Sequence, residues 1–307
     1  MKILITGGAG FIGTKICEKL NDKYEIIIFD NFHKQIHNGV ENKIKGVKYV
    51  IGDVTNKSDW EKSLSYDPDI IFHLAAETGT GQSMEEITNY CQTNIIGTSN
   101  MLELVNSGKY NVKKIILSST RAVYGDGLNS IDNKDLNPKS VYGISKLTQE
   151  HLIKTSSKIP YTILRYQNVF GDGQSLHNPY TGIISIFSNL LVKNETVTIF
   201  DNGLPTRDFI YVGDVVDATL ECAFNEKSDY KTFDIGTGDA NKILDVAQKL
   251  KELLNSNSEI LINDYHREGD IMYAKADVSK IKNELGWVSK YDLSYGLNEF
   301  VKWFKNE

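Results

Sequence analysis

The chain has 307 residues, 40% of them hydrophobic, enough for one large domain or for a larger and a smaller one sharing a cleft. Its 34 basic and 40 acidic side chains leave a formal charge of -6, and no Lys/Arg run suits a nucleic-acid backbone, so no nucleic-acid partner is expected. Met1-Lys2 leads at once into Ile3-Leu4-Ile5 and then Gly7-Gly8, and no later stretch has the length of a membrane span, which predicts a cytoplasmic protein with no membrane partner.

Lys2 to Thr6 reads as the first strand and Phe11 to Asn21 as the first helix. Strands follow at Glu25 to Phe29, Val47 to Ile51 and Ile70 to His73, then a helix over Met84 to Asn106 and a strand at Lys114 to Ser118. A helix at Val141 to Ser156 and a strand at Tyr161 to Arg165 complete the series. This alternation predicts an α/β fold with a doubly wound parallel sheet over residues 1–170. Beyond that point the rhythm breaks. The stretch Asn178 to Lys193, the short strands Thr196 to Phe200 and Phe209 to Val212, and the final helices do not extend a simple βα series. Residues 171–307 are therefore expected to form a smaller, interleaved lobe, with some elements returning to the first. The cysteines Cys17, Cys91 and Cys222 are odd in number and far apart, which predicts neither a disulfide framework nor a Cys-rich metal site.

The first strand runs into Gly7-Gly8-Ala9-Gly10-Phe11-Ile12-Gly13 as a helix begins. Such a turn needs positive φ, close approach of backbone to a pyrophosphate, and helix N–H groups facing an anion. Gly7, Gly10, Phe11, Ile12 and Gly13 are the predicted phosphate cradle of a Rossmann-type sheet. About twenty residues on, Asp30 ends the second strand, where a carboxylate accepts hydrogen bonds from an adenosine ribose and repels a 2′-phosphate. The expected cofactor is NAD, with Asn31, Asp53 and Val54 on the adenosine side and Leu74, Ala75, Ala76 and Ser118 toward the nicotinamide ribose.

Tyr142 and Lys146 sit four apart on a predicted helix, which puts them on one face. An ammonium there, joined by the positive nicotinamide ring, would stabilise a phenolate and bring the phenol toward the working range, making Tyr142 a proton shuttle. Thr120 closes Ser118-Ser119-Thr120 at the carboxyl edge of the sheet and is the predicted hydroxyl that holds the reacting oxygen. Arg occurs only at 121, 165, 207 and 267 among 34 basic residues, so these positions read as places where a planar charged fork is wanted. Arg207 and Arg267 are the candidates for gripping a diphosphate, and Asn168 after the sixth strand is a candidate diphosphate or sugar contact. No HExxH or paired-ligand spacing occurs among the six histidines, His73 reads as strand-end packing, and no G-x-S-x-G elbow is present. Neither a metal nor a hydrolase triad is expected.

Gly7-x-x-Gly10-x-x-Gly13, the run Ser118-Ser119-Thr120-Arg121-Ala122-Val123-Tyr124-Gly125, and Tyr142-x-x-x-Lys146 together resemble the extended short-chain dehydrogenase/reductase family, within it the NAD-dependent nucleotide-sugar epimerases and dehydratases. The likeness continues through Arg165 to Gly171, Arg207 to Ile210 and Arg267 to Ile271, segments that in the family help bind the sugar nucleotide. It implies substrate contacts at Thr78, Thr120, Arg121, Tyr142, Asn168, Arg207 and Arg267, and catalysis by Thr120, Tyr142 and Lys146. Family 4,6-dehydratases carry an Asp-Glu pair after the threonine, and related decarboxylases an acid nearby; here Arg121-Ala122 follow. Net reductases tend to use NADPH, which Asp30 disfavours. The expected reaction is epimerisation at a hydroxyl carbon, C4, through a transient keto intermediate, with hydride leaving to and returning from the same cofactor. Glu77 to Met84 and Gln174 to Gly182 resemble epimerases of 6-deoxysugar nucleotides, implying a dTDP-6-deoxyhexose. A UDP-sugar 4-epimerase, a CDP-sugar 2-epimerase, a dehydratase or a reductase would share the frame, whereas a non-catalytic NAD-binding sensor or scaffold would have no need of the Tyr and Lys pair. The family habit of pairing long helices implies a homodimer.

Overall fold

The computed structural model describes residues 1–41, 43–125, 136–178, 182–266 and 271–307. In chain order its strands are β1 (Lys2–Thr6), β2 (Glu25–Asp30), β3 (Lys48–Ile51), β4 (Ile70–His73), β5 (Lys114–Thr120), β6 (Tyr161–Tyr166), β7 (Asn168–Phe170), β8 (Val197–Ile199), β9 (Thr206–Arg207), β10 (Phe209–Tyr211), β11 (Lys231–Ile235), β12 (Asn241–Lys242) and β13 (Ile260–Ile262). The α-helices are α1 (Phe11–Leu20), α2 (Lys34–His37), α3 (Lys57–Leu64), α4 (Thr80–Ser83), α5 (Ile87–Tyr90), α6 (Gly97–Asn106), α7 (Val141–Ser156), α8 (Ile183–Val192), α9 (Val212–Phe224), α10 (Ile243–Leu254), α11 (Ser279–Leu285) and α12 (Leu293–Phe304).

Seven strands form one parallel sheet in the order β11-β6-β5-β4-β1-β2-β3. Alternation along each strand explains why both faces close. Ile3 and Ile5 of β1, Ile26 and Ile28 of β2 and Ile116 of β5 pack under α1 and α9, while Leu4, Ile27, Phe29, Ile115 and Leu117 pack under α3, α6 and α7. A strand buried on both faces reads as a continuous apolar run, which is why these strands are visible in the sequence. The chain leaves β1 toward β3 on one side and resumes at β4 on the other, so the winding reverses between β1 and β4. Ligands of such sheets bind outside the carboxyl ends at that reversal.

Several elements differ from the expectation. β2, β5 and β6 run on to Asp30, Thr120 and Tyr166, past the last strongly apolar position. Hydrophobic patterning follows side chains, whereas the ladder pairs backbones, so polar residues at the carboxyl edge remain in register: Thr120 pairs with Tyr166. The expected helix from Met84 starts at Ile87 and is interrupted by a π-helical stretch, Cys91–Ile96, with Thr80–Ser83 as a separate turn. A seventh strand, β11, joins the edge beside β6. Only its Phe233 and Ile235 are buried in the core, and an edge strand needs no longer apolar run than that.

Beyond residue 170, β7 with β10, β9 with β12 and β8 with β13 make three two-stranded sheets, and α8, α10 and α12 enclose a further core around Phe187, Leu250 and Phe300. The chain then sends α9, β11 and α11 back onto the large sheet. The three cysteines are free, Cys17 and Cys222 fully buried. Among the described residues, no helix is long and apolar enough to cross a membrane.

Candidate active site

Outside the carboxyl ends of β1, β2, β4, β5 and β6 lies a cavity of about 1640 Å³. A pocket for one drug-sized ligand takes roughly 300–1,000 Å³, so this one has room for two sizeable molecules. Gly7, Gly10, Phe11, Ile12, Gly13, Asp30, Asn31, Val54, Leu74, Ala75, Ala76 and Ser118 all line it. Gly7 has φ +65, and a Cβ there would lie 2.8 Å from the backbone N of Ala75, so only glycine lets the turn after β1 pass the chain leaving β4. α1 follows Gly10 at its N-cap, with no side-chain cap and no acid in its first turn, which leaves its positive end available to an anion. The Asp30 carboxylate is 7% exposed and accepts from Ala9 N at 3.0 Å and Phe32 N at 2.8 Å, which locks it at the end of β2. An uncapped helix start and a fixed carboxylate one strand away fit the pyrophosphate and ribose of a dinucleotide. Asp53 is placed differently from the expectation. Its carboxylate turns into its own loop, accepting from Thr55 N at 2.8 Å, Thr55 Oγ1 at 2.7 Å and Asn31 Nδ2 at 3.2 Å, and leaves Gly52 and Val54 to line the cavity.

Ser140 sets the start of α7: its hydroxyl accepts from Gly143 N at 3.1 Å, an N-cap directly before the predicted helix. Tyr142 and Lys146 then fall one turn apart and both line the cavity. Thr120, at the end of β5, hydrogen-bonds the Tyr142 phenol and accepts from Ala122 N at 3.2 Å. Burial holds the phenol above its ordinary range, and the Thr120 bond draws it partly back. Lys146, 2% exposed, is brought down to about 7 by burial against the upward pull of Glu150. The expected lowering of the Tyr142 phenol joins the Lys146 ammonium with the positive nicotinamide ring; burial of the two side chains acts in the opposite direction on both. A phenol bonded to a hydroxyl, with a titratable amine one turn on, is suited to moving a proton at an alcohol oxygen.

Thr78, Arg121, Asn168 and Arg207 also line the cavity. Arg207 is 7% exposed and donates from Nη1 to Thr206 O at 2.9 Å. Arg267 lies outside the described residues. Arg165 goes elsewhere. Its guanidinium grips Glu150 with two bonds, Nε to Oε1 at 2.9 Å and Nη2 to Oε2 at 2.7 Å, and donates from Nη1 to Tyr124 Oη at 2.8 Å. Tyr124 in turn donates to Asp234 at 2.6 Å, and Ser119 donates to Glu150 at 2.6 Å, so this arginine belongs to a buried network behind the site.

His73 is held by hydrogen bonds as well as packing, with Thr6 Oγ1 2.8 Å from Nδ1 and Thr98 Oγ1 3.0 Å from Nε2. Burial, followed by the charge of Lys146, brings it down to about 3, so the ring is neutral. Among the described residues, no group of three or more His, Cys, Asp or Glu is arranged to hold a metal. Asn94 escapes the sequence reading. Fully buried in the π-helical stretch, it donates to Glu77 O at 3.1 Å and Ser145 Oγ at 2.9 Å and accepts from Glu77 N at 2.8 Å, pinning the chain after β4 to α7 beside Lys146. A π-helical residue sits off the 3.6 repeat, so no periodicity flags it.

The fold and cavity define a Rossmann-type enzyme with a dinucleotide site. Residues 3–236 match the NAD dependent epimerase/dehydratase family. The chain is 35% identical to a dTDP-L-rhamnose 4-epimerase of Burkholderia thailandensis, with 100% of this chain and 95% of that one covered. It is 37% identical to a putative UDP-glucose 4-epimerase of Methanocaldococcus jannaschii, covering 99% and 98%. A solved UDP-glucose 4-epimerase of Thermotoga maritima superposes with a TM-score of 0.90 at 34% identity, covering 100% of this chain and 99% of that one. The chain belongs to the NAD-dependent epimerase/dehydratase family and is an NAD-dependent epimerase.

Proposed function

We propose that the chain epimerises C4 of a nucleotide-linked sugar, a dTDP-6-deoxyhexose. The observation that carries the reaction is the Thr120, Tyr142 and Lys146 group on the cavity wall, with Arg121 and Ala122 following where an elimination would call for an acid and a base. The 35% identical dTDP-L-rhamnose 4-epimerase supports the choice of sugar. A UDP-sugar is the second reading, favoured by the 37% identical relative and the Thermotoga structure.

Bound NAD would supply the acceptor and donor of the hydride at the reacting carbon. The α1 start binds its pyrophosphate, and Asp30 accepts from its adenosine ribose and repels a 2′-phosphate. Asn31 and Val54 would hold the adenosine side, and Leu74, Ala75, Ala76, Ser118 and Lys146 the nicotinamide ribose side, of the cavity they line. Thr120 would hold the sugar hydroxyl, and Tyr142 would take its proton as the phenolate, a form that the Lys146 ammonium and the positive nicotinamide ring stabilise. Arg207 and Arg267 hold the diphosphate, with Thr78, Arg121 and Asn168 toward the sugar, so that residues 171–307 act as the nucleotide-sugar lobe. Asp30→Ala is expected to let NADP bind nearly as well as NAD; calorimetry showing equal affinities in the unaltered protein would remove Asp30 from that role.

Deuterium at the reacting sugar carbon is expected to stay there in the product, read by NMR, with no exchange with water and no stoichiometric NADH release. Loss of water from the substrate, with solvent hydrogen entering the product, would overturn epimerisation. A panel of dTDP-, UDP-, GDP- and CDP-sugars followed in the same way identifies the substrate.

The proposed partner is a second copy. Met84 just after α4, Ile87 in α5, Ile96 in the π-helical stretch and Ile144 in α7 are each about half exposed, and α4, α5 and the π-helical stretch all contact α7. Light scattering is expected to give twice the 34.5 kDa chain mass; a monomer mass at micromolar concentration would exclude the pairing.

A further inference from the structure

The segment that leaves β7, residues 171–178, runs along the cavity wall from Asp172 to His177. It pivots at glycines, with φ +147 at Gly171 and +89 at Gly173, values that other side chains rarely adopt. Gly173 lies against the first turns of α1: a Cβ there would stand 3.4 Å from Lys15 Cε and 3.9 Å from Phe11 Cδ2, beside the predicted phosphate cradle. One end of the segment is tied by charge. Lys15 Nζ donates to Asp172 Oδ2 at 2.6 Å, and Tyr211 Oη donates to Asp172 Oδ1 at 2.7 Å. Burial alone would raise the Asp172 carboxyl; the bonds from Lys15 and Tyr211 outweigh it and hold it below its ordinary range. The other end is tied by amides. Gln35 of α2 donates from Nε2 to Asn178 Oδ1 at 3.2 Å and to Gln82 Oε1 at 2.9 Å, and Gln82 of α4 donates back to Gln35 Oε1 at 3.1 Å. Asn178 is 3% and Gln82 5% exposed, so this clasp is largely out of water.

The two ties join the segment to α1 and α2, the helices that follow β1 and β2 around the dinucleotide half, across 157 and 143 residues of chain. A carboxylate beside the start of α1 would by itself repel a pyrophosphate, and Lys15 offsets that charge while it holds the segment down. Because the hydride returns from the cofactor that took it, the reaction calls for no release between turnovers, so a fastened segment does not slow it. We propose that Lys15, Asp172 and Gln35 are positioning residues that fasten residues 171–178 as a strap across the dinucleotide half of the cavity and so slow the release of NAD. The inference rests on the dinucleotide placement given above, which the Asp30→Ala comparison of NAD with NADP judges separately.

The protein is loaded with NADH and chased with a large excess of NAD, and the fall in NADH fluorescence gives the off-rate. Asp172→Ala, Lys15→Met and Gln35→Ala are each expected to speed release about 2- to 10-fold, the range for one partly buried ion pair or two neutral hydrogen bonds. The sign at Asp172 separates a tie from a simple charge effect. If the pair acted only through its charge on the pyrophosphate, Asp172→Ala would leave Lys15 to hold the anion and release would slow, whereas an untied strap speeds it. Gln35 is neutral and its amide is engaged with Gln82 and Asn178, so its effect on the cofactor passes through the segment. Slower or unaltered release in Asp172→Ala, or unaltered release in Gln35→Ala, overturns the proposal. Lys15→Met combined with Asp172→Ala is expected to do no more than either alone, since both open one tie; a fully additive pair also overturns it. Melting temperatures without nucleotide show whether each variant is folded. A residue that only supported the fold would lower that temperature and leave the off-rate as it was.

Discussion

Tyr142→Phe is expected to lower turnover by at least roughly 10²-fold while NAD still binds, the loss typical of a missing proton carrier. The phenol is the group that Thr120 bonds at the cavity wall, and the variant removes only its oxygen. The ring remains to pack edge-on against Tyr90, whose centroid lies 6.3 Å away, so the fold around it is kept. His73 offers no substitute, since it is neutral, brought down to about 3, and closed in between Thr6 and Thr98. Lys146 is the competing carrier, because burial places it at about 7, where it could exchange a proton itself. NMR of the epimer formed, with calorimetry of NAD binding, separates the two. Near-normal turnover by Tyr142→Phe would give the proton to Lys146 and end the assignment made for the phenol.

Glu150→Ala is expected to destabilise the protein by about 3–5 kcal/mol, the range for removing one partner of a buried ion pair. The Glu150 side chain is fully buried and takes both forks of the Arg165 guanidinium, along with Ser119 and Lys154. Burial alone would push its carboxyl up; Arg165, Lys154 and Ser119 together hold it below the usual range. Without it, Arg165 keeps its charge beside Tyr124 and Asp234, and Asp234, itself raised to about 6 chiefly by burial, is a poor replacement. Glu103→Ala is the control, since Glu103 pairs with Lys57 with both side chains at least half exposed and is expected to cost less than about 1 kcal/mol. Urea unfolding measures both. A loss below about 1 kcal/mol at Glu150 would show that the network carries no such weight. Lys146 also loses the carboxylate that pulls it upward, so its protonated fraction at neutral pH should fall further.

Glu150 also sets Arg165 apart from Arg207, which lines the cavity. Arg165 and Arg207 are the same residue type, each near the end of a short strand, and nothing local separates them. What separates them is Glu150, fifteen residues before Arg165 on α7, which faces the strand only after the helix has packed on the sheet. Asp53 shows the same limit in reverse. It stands where an adenosine contact is expected, and a turn closed by Thr55 and Asn31 takes its oxygens instead.

The sequence by itself determined what depends on neighbours along the chain. The doubly buried strands show as apolar runs, the glycine turn shows because the backbone at Gly7 needs positive φ and close approach, and the one-turn spacing of Tyr142 and Lys146 follows from the pitch of a helix. Only the tertiary structure decided what depends on partners brought from far away. The edge strand β11 exists because β6 pairs with it, and Asn94 matters because a π-helical stretch aims it at Glu77 and Ser145. Lys146 is brought down because packing strips its water. Burial and hydrogen-bond partners are set by contacts across the fold, and no local period encodes them.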